Sequence, residues 1–169
     1  MMRLIPIQTT EEIQDLANLA DEIWHEYFPC ILTAAQIDYM VEKFQSVSAL
    51  TAQIASGYQY QILYQDEKPA GYFGVCLQKD GSLFLSKLYL KQAFRGKGLA
   101  RIEFEAVCQI ARKQNASSVW LTVNKYNAQA IAVYKHFGMK CIRSQVTEIG
   151  NGFVMDDHVF SLDLTEKCL

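Results

Sequence analysis

The chain has 169 residues, half of them hydrophobic and a fifth charged, with a formal net charge of −2. That length buries enough surface for one real core, so a single domain over residues 1–169 is expected. A charge this near neutrality excludes an overall basic field that would draw the chain to nucleic acid or to a membrane surface. The five cysteines are widely spaced with no CxxC pair, which excludes a disulfide framework and points to reduced thiols. His25, His136 and His158 have no metal-ligand spacing with one another or with the cysteines, so no metal is expected. There is no long apolar leader and no membrane-length stretch, and the expected location is cytoplasmic.

In chain order, Arg3 to Ile7 reads as a short strand. Thr9 precedes Glu12 by three residues, the spacing of a capping box. The run that follows puts Ile13, Leu16, Leu19, Ala20, Ile23 and Trp24 on one helical face, and Pro29 ends it. Thr33 and Gln36 repeat the capping spacing before a second amphipathic helix carrying Ile37, Met40, Val41 and Phe44. A third helix over 48–56 stops at Gly57. Strands are expected at 58–65 and 70–78, separated by a turn at Asp66-Glu67-Lys68-Pro69. Asp80-Gly81 is a hairpin turn before a strand at 83–90.

The period then changes. Residues 99–114 read as a helix with Ile102, Val107, Ile110 and Ala111 toward the core. Val119 to Val123 is a short strand, Asn127 to Phe137 a helix with Gly138 at its end, and 139–148 and 153–164 are two closing strands. This is an α/β pattern around a mixed sheet.

The chemistry-bearing segment is Arg95-Gly96-Lys97-Gly98-Leu99-Ala100, which leads directly into a helix. The first turn of a helix has N–H groups without intrahelical partners, and the helix dipole makes that end positive. Glycines let the backbone approach a bulky anion and adopt positive φ. Arg95, Lys97 and Arg101 add formal charge, so the segment is a candidate diphosphate cradle. It lacks the GxxxxGK-Ser/Thr of a P-loop. It is also no GxGxxG dinucleotide loop, since Arg101 stands at the third glycine and a strand meander precedes it.

Arg95-x-x-Gly98-x-Ala100 resembles the acetyl-CoA motif of the GNAT superfamily of N-acetyltransferases. A second segment fits the same resemblance: a strand ending at Asn124, then Asn127, a helix with Tyr134 seven residues on, and Gly138. Seven helical residues are about two turns, so Asn127 and Tyr134 share a face. The resemblance implies a GNAT-like, mostly antiparallel mixed sheet flanked by helices, with the fourth and fifth strands splayed apart. It implies that pantetheine lies along the backbones of Leu88, Tyr89 and Leu90, and that the diphosphate sits on the N–H groups from Arg95 to Arg101. Asn124 and Asn127 are implied as amide contacts, Lys135 as a phosphate contact, and Tyr134 as the proton donor to the leaving thiolate.

The acceptor side is less defined. Many members of the family keep an acid on the fourth strand, where this chain has Ser86 and Lys87. Glu26, Glu148, Asp156 and Asp157 are the candidate substitutes, the adjacent aspartates as a site for a polyamine-like cation. Lys87-Leu88-Tyr89-Leu90 and the helical stretch from Thr33 to Ser56 resemble the polyamine-acetylating branch. The expected activity is acetyl transfer from acetyl-CoA to a primary amine, with a small molecule such as a polyamine as acceptor. A non-catalytic acyl-CoA-binding or sensing domain and a protein N-terminal acetyltransferase stay open as alternatives. An exposed last strand would also allow a homodimer.

Overall fold

The computed structural model describes residues 1–165; Cys168 lies outside the described residues. The strands are β1 (Met2–Pro6), β2 (Gln59–Gln65), β3 (Lys68–Leu77), β4 (Leu83–Leu90), β5 (Ser118–Asn124), β6 (Lys140–Gly150) and β7 (Phe153–Asp163). The helices are α1 (Thr10–Tyr27), α2 (Ala34–Gln45), α3 (Val47–Ala55), α4 (Leu99–Lys113) and α5 (Ala128–His136). The strands form one sheet in the order β1-β2-β3-β4-β5-β7-β6, with β4 and β5 parallel and the pairs β1–β2, β2–β3, β5–β7 and β6–β7 antiparallel. This is the mixed, mostly antiparallel α/β architecture expected from the sequence.

The chain divides into two compact units, Met1–Cys76 with Lys87–Ala106, and Leu77–Ser86 with Val107–Leu169. In the first unit, α1 begins at the expected capping box. The Thr9 hydroxyl accepts from Glu12 N–H at 3.2 Å, and the Glu12 carboxylate accepts from Thr9 N–H at 2.8 Å. The buried stripe of α1 packs with Leu50 of α3 on Tyr60, Ile62 and Tyr72. The other side of the same strands packs Leu63, Ala70 and Leu90 against Leu99, with Ile102 beside them. Helices therefore cover both faces, which is why β3 reads as a nearly continuous buried run. β3 starts at Lys68, not after Pro69 as expected. Asp66 and Glu67 both take positive φ and close a two-residue turn on their own.

In α4, Val107 and Ala111 are buried as expected. Glu103 is also fully buried, at 0 % exposure, although nothing in the helical pattern marked it as a core position.

In the second unit, β4 pairs with β5 only at Leu83↔Val119 and Phe84↔Trp120. The Trp120 ring stacks on Phe84 at 4.3 Å and its indole N–H donates to the Ser82 hydroxyl at 3.0 Å. The last strand is not the exposed edge that the sequence led us to expect. β7 folds back in a hairpin from β6 and pairs with β5 from Ser118↔Asp163 to Asn124↔Asp157, which leaves β6 at the edge. Cys108 is buried, whereas Cys30 and Cys141 are exposed thiols. Among the described residues, no helix is long and apolar enough to cross a membrane.

Candidate functional site

β4 runs into a 3-10 turn over Gln92–Phe94, after which Arg95 is extended. Gly96 and Gly98 take φ of 73° and 79°, the region where glycine carries no side-chain penalty. A Cβ added to either would meet no atom within 4 Å, so the space above the turn is open. α4 starts at Leu99, which puts the N–H groups of Leu99, Ala100 and Arg101 at the positive end of the helix without intrahelical acceptors. The exposed ammonium of Lys97 lies 5.6 Å from the Phe94 ring centroid. The turn thus offers backbone donors, an open approach and positive charge to an anion.

Arg95 does not project freely from this turn. Its Nε donates to the Leu90 carbonyl at 3.0 Å, and its guanidinium lies 4.5 Å from the Tyr27 ring centroid. Glu26 completes the tie. Its carboxylate accepts from Gln92 N–H at 2.8 Å and sits 3.5 Å from the Arg95 guanidinium. These contacts tie the turn to the end of α1, and Glu26 itself stays exposed.

At the end of β4 the alternation of a strand sorts the backbone groups. The Tyr89 carbonyl points at β3, 2.4 Å from where a Gly71 Cβ would stand, and the Tyr89 ring packs with Trp24, Phe28 and Tyr72. Leu88 and Leu90 then direct their backbone groups to the other side, where Arg95 already occupies the Leu90 carbonyl. The Leu88 backbone groups face that same side.

In the second unit, Asn127 is the N-cap of α5. Its side-chain carbonyl accepts from Ala130 N–H at 3.2 Å. The Asn124 side chain accepts from Tyr126 N–H at 2.9 Å and closes the β5–α5 turn. Tyr134 is buried on α5, and Lys135 is exposed on its last turn.

The two aspartates differ in their surroundings. Successive strand residues point to opposite faces. Asp156 pairs with Lys125 at 2.6 Å, while Asp157 is 5 % exposed opposite Asn124. Burial, aided by the neighbouring Asp156 charge, pushes the Asp157 carboxyl up to about 6.

Two buried ionisable residues were not singled out as site candidates by sequence reasoning. Lys87 is 5 % exposed on β4, and burial lowers its ammonium to about 7. Glu103 on α4 is fully buried, and burial holds its carboxyl well above the usual carboxylate range. The period of β4 held the clue to the first. Leu83, Leu85 and Lys87 alternate onto one buried face, so a lysine stands where the pattern calls for an apolar residue.

Residues 16–139 match the model of the Acetyltransferase (GNAT) family. A Bacillus subtilis (strain 168) protein named "Putative ribosomal protein bS18-alanine N-acetyltransferase" is 27 % identical over 81 residues, 48 % of this chain and 53 % of that protein. The match therefore spans about half the length of that curated relative. Among solved structures, the PaiA N-acetyltransferase of Thermoplasma acidophilum in complex with coenzyme A superposes with a TM-score of 0.80 at 17 % identity, covering 96 % of this chain and 99 % of that one. The ribosomal-protein-S18-alanine N-acetyltransferase of Escherichia coli gives 0.69 at 19 % identity, covering 96 % and 94 %. At these identities the solved structures speak for the fold, and the family match covers most of the chain: this protein belongs to the acetyltransferase (GNAT) family.

Proposed function

We propose that this chain is an acetyl-CoA-dependent N-acetyltransferase that moves an acetyl group directly from the thioester to a primary amine. The observation that carries the reading is the open turn at Gly96 and Gly98 on the N-terminus of α4. In this reading the N–H groups from Gly96 to Arg101 hold the diphosphate, and Lys97 and Arg101 add charge. Arg95 keeps the turn in shape, the Leu88 backbone pairs with the pantetheine amides, and Asn127 is a further amide contact. Lys135 is the outermost phosphate contact, and the Asn124 turn supports Asn127. Tyr134 supplies the proton that the leaving thiolate takes. Acetyl-CoA contributes an activated acetyl group, and holding it beside an amine lowers the barrier by proximity. We read the two units as parts of one domain, because the family match runs through both.

For the acceptor we propose a small amine such as a polyamine. The likeness to two enzymes named for the alanine of ribosomal protein S18 favours a second acceptor class, a protein N-terminus. The test pairs calorimetry of CoA binding with CoA-thiol release in the presence of polyamines, amino acids and peptides with an N-terminal alanine. CoA binding is expected, with amine-stimulated thiol release from one acceptor class. Gly98→Val strains a positive-φ position by roughly 1–2 kcal/mol and is expected to weaken CoA binding about tenfold. Tyr134→Phe is expected to lower kcat about 100-fold with CoA affinity kept. CoA binding without thiol release from any amine would replace this reading with a non-catalytic acyl-CoA-binding domain. No CoA binding at all would sink both.

A further inference from the structure

The cradle leaves one buried amine without a task. Lys87 directly precedes Leu88 on β4, and its Nζ donates to Gln53 Oε1 of α3 at 2.8 Å and to the Tyr60 hydroxyl of β2. The Tyr60 hydroxyl in turn donates to the same Gln53 oxygen. The Tyr60 and Tyr58 ring centroids lie 4.9 Å and 5.9 Å from Nζ. Tyr60 reaches β4 across β3 because residue 74 is glycine: a Cβ there would stand 2.4 Å from the Tyr60 ring. Tyr60 of β2, Gln53 of α3 and the Tyr58 ring thus surround one nitrogen of β4.

The hydrogen-bond inventory fits a neutral amine. Neutral Nζ carries two N–H groups and a lone pair, and the two N–H groups meet Gln53 and Tyr60. An ammonium would bring a third N–H, and among the described residues no carboxylate pairs with it. The titratable neighbours are Tyr60 and Tyr58 from the β2 side, with Cys76 of β3 beside the two phenols; α3 supplies only the uncharged Gln53. Burial pushes both phenols up and keeps them neutral, and the same burial lowers Lys87 to about 7. An amine with that value is neutral in a large fraction near pH 7, where a general base works best.

We propose that Lys87 is the base that takes the proton from the acceptor ammonium, which rests on the acetyl-transfer reading above. If the Leu88 backbone pairs with the ligand arm and the diphosphate lies at Gly96–Arg101, then Lys87, one strand residue of about 3.3 Å beyond Leu88, stands at the reacting end of that arm. The acceptor R–NH3+ gives one proton to the Lys87 lone pair and becomes R–NH2. Its nitrogen bonds to the thioester carbonyl carbon, the C–S bond breaks, and the leaving thiolate takes up the second proton that the new amide nitrogen gives up. Lys87 then releases its proton to solvent, so one proton leaves per turnover.

Two measurements test this. In the ligand-free protein, the Lys87 ε-CH2 resonance, assigned by its loss in Lys87→Arg, is expected to titrate near pH 7; a midpoint above 9 overturns the proposal. With the best acceptor, the wild-type kcat/KM is expected to rise with pH through a limb near 7. Lys87→Met and Lys87→Arg are both expected to lose that limb and about 100-fold or more in kcat, with CoA binding unchanged. Wild-type kcat in Lys87→Met overturns it, as does rescue by Lys87→Arg, which keeps the charge without a usable lone pair. Thiol release absent from the wild-type protein with every amine is a different result, and overturns the transfer reading along with it.

Discussion

On one face of the strands in the first unit, Lys87 is buried against Gln53, Tyr58 and Tyr60; on the other, Glu103 is buried against Gly71 and Leu90. Burial opposes charge on both faces, lowering the lysine and raising the carboxyl. The surroundings differ in kind. Lys87 has two oxygen acceptors held in place by a third contact between them, whereas neither carboxyl oxygen of Glu103 has a hydrogen-bond partner. A buried polar group left unpaired costs stability without return. The contrast separates an amine with a built surrounding from an acid that the core merely tolerates.

Each side rests on a glycine of β3, and exchanging them is the sharpest way to break the contrast. A Cβ at Gly71 would stand 2.4 Å from the Tyr89 carbonyl oxygen, 2.5 Å from Leu90 Cδ2 and 2.9 Å from Glu103 Oε1. The first of these is backbone and has nowhere to go. Gly71→Ala is expected to cost about 3 kcal/mol of unfolding free energy in urea. A Cβ at Gly74 meets only the Tyr60 ring, at 2.4 to 2.9 Å. The ring can tilt, so Gly74→Ala is expected to cost about 1–2 kcal/mol. The tilt also draws the Tyr60 hydroxyl from Lys87, so this milder variant is the one that moves the Lys87 titration. A larger loss from Gly74→Ala than from Gly71→Ala would mean that Tyr60 is clamped far more rigidly than its contacts indicate.

The same two residues mark where sequence reasoning stopped. Local rules carried the elements: the Thr9 and Glu12 capping box, β4 at Leu83–Leu90, and the positive φ of Gly96 and Gly98 all follow from near neighbours in the chain. Lys87 and Glu103 owe their state to residues 27 to 34 positions away, Gln53, Tyr60 and Gly71, and no local pattern reports those meetings. Arg95 is a milder case, since its charge pointed outward to a ligand until Leu90, Tyr27 and Glu26 turned it inward. Asp156 and Asp157 show the opposite limit. They are adjacent in the chain, and a strand sends adjacent side chains apart.

Glu103→Leu is the next test in size. The folded carboxyl holds its proton above the ordinary 4.5, so the wild type has its full stability below that pH and loses it as pH rises through the folded value. The leucine variant has no such loss. It is expected to be more stable than wild type by about 1–2 kcal/mol at pH 8, with a smaller gain at pH 4.5, read from urea midpoints. CoA binding and transfer are expected to persist. A gain that is the same at both pH values would show that Glu103 is ionised in the folded chain and has found a partner.

Lys87→Met gives the smallest change in stability and the largest divergence between stability and activity. The folded ammonium is lowered from 10.5 to about 7, so the stabilising contribution is present above 10.5 and is lost as pH falls through 7. At pH 7 the wild type therefore bears most of the cost of keeping an amine in this site. Methionine removes that cost and fills similar space, and Tyr60 keeps its bond to Gln53. Against it stand the two hydrogen bonds that Lys87 gives up, so a net gain of about 1 kcal/mol is expected at pH 7, reversing to a net loss as pH rises toward 10.5, where the wild type keeps those bonds without that cost. Thus both faces are expected to stabilise when their ionisable residue is replaced by an apolar one, but only the Lys87 face is expected to lose acetyl transfer. A methionine variant that is both more stable and fully active would make Lys87 the same kind of residue as Glu103, and the difference between the two faces would be one of hydrogen bonding alone.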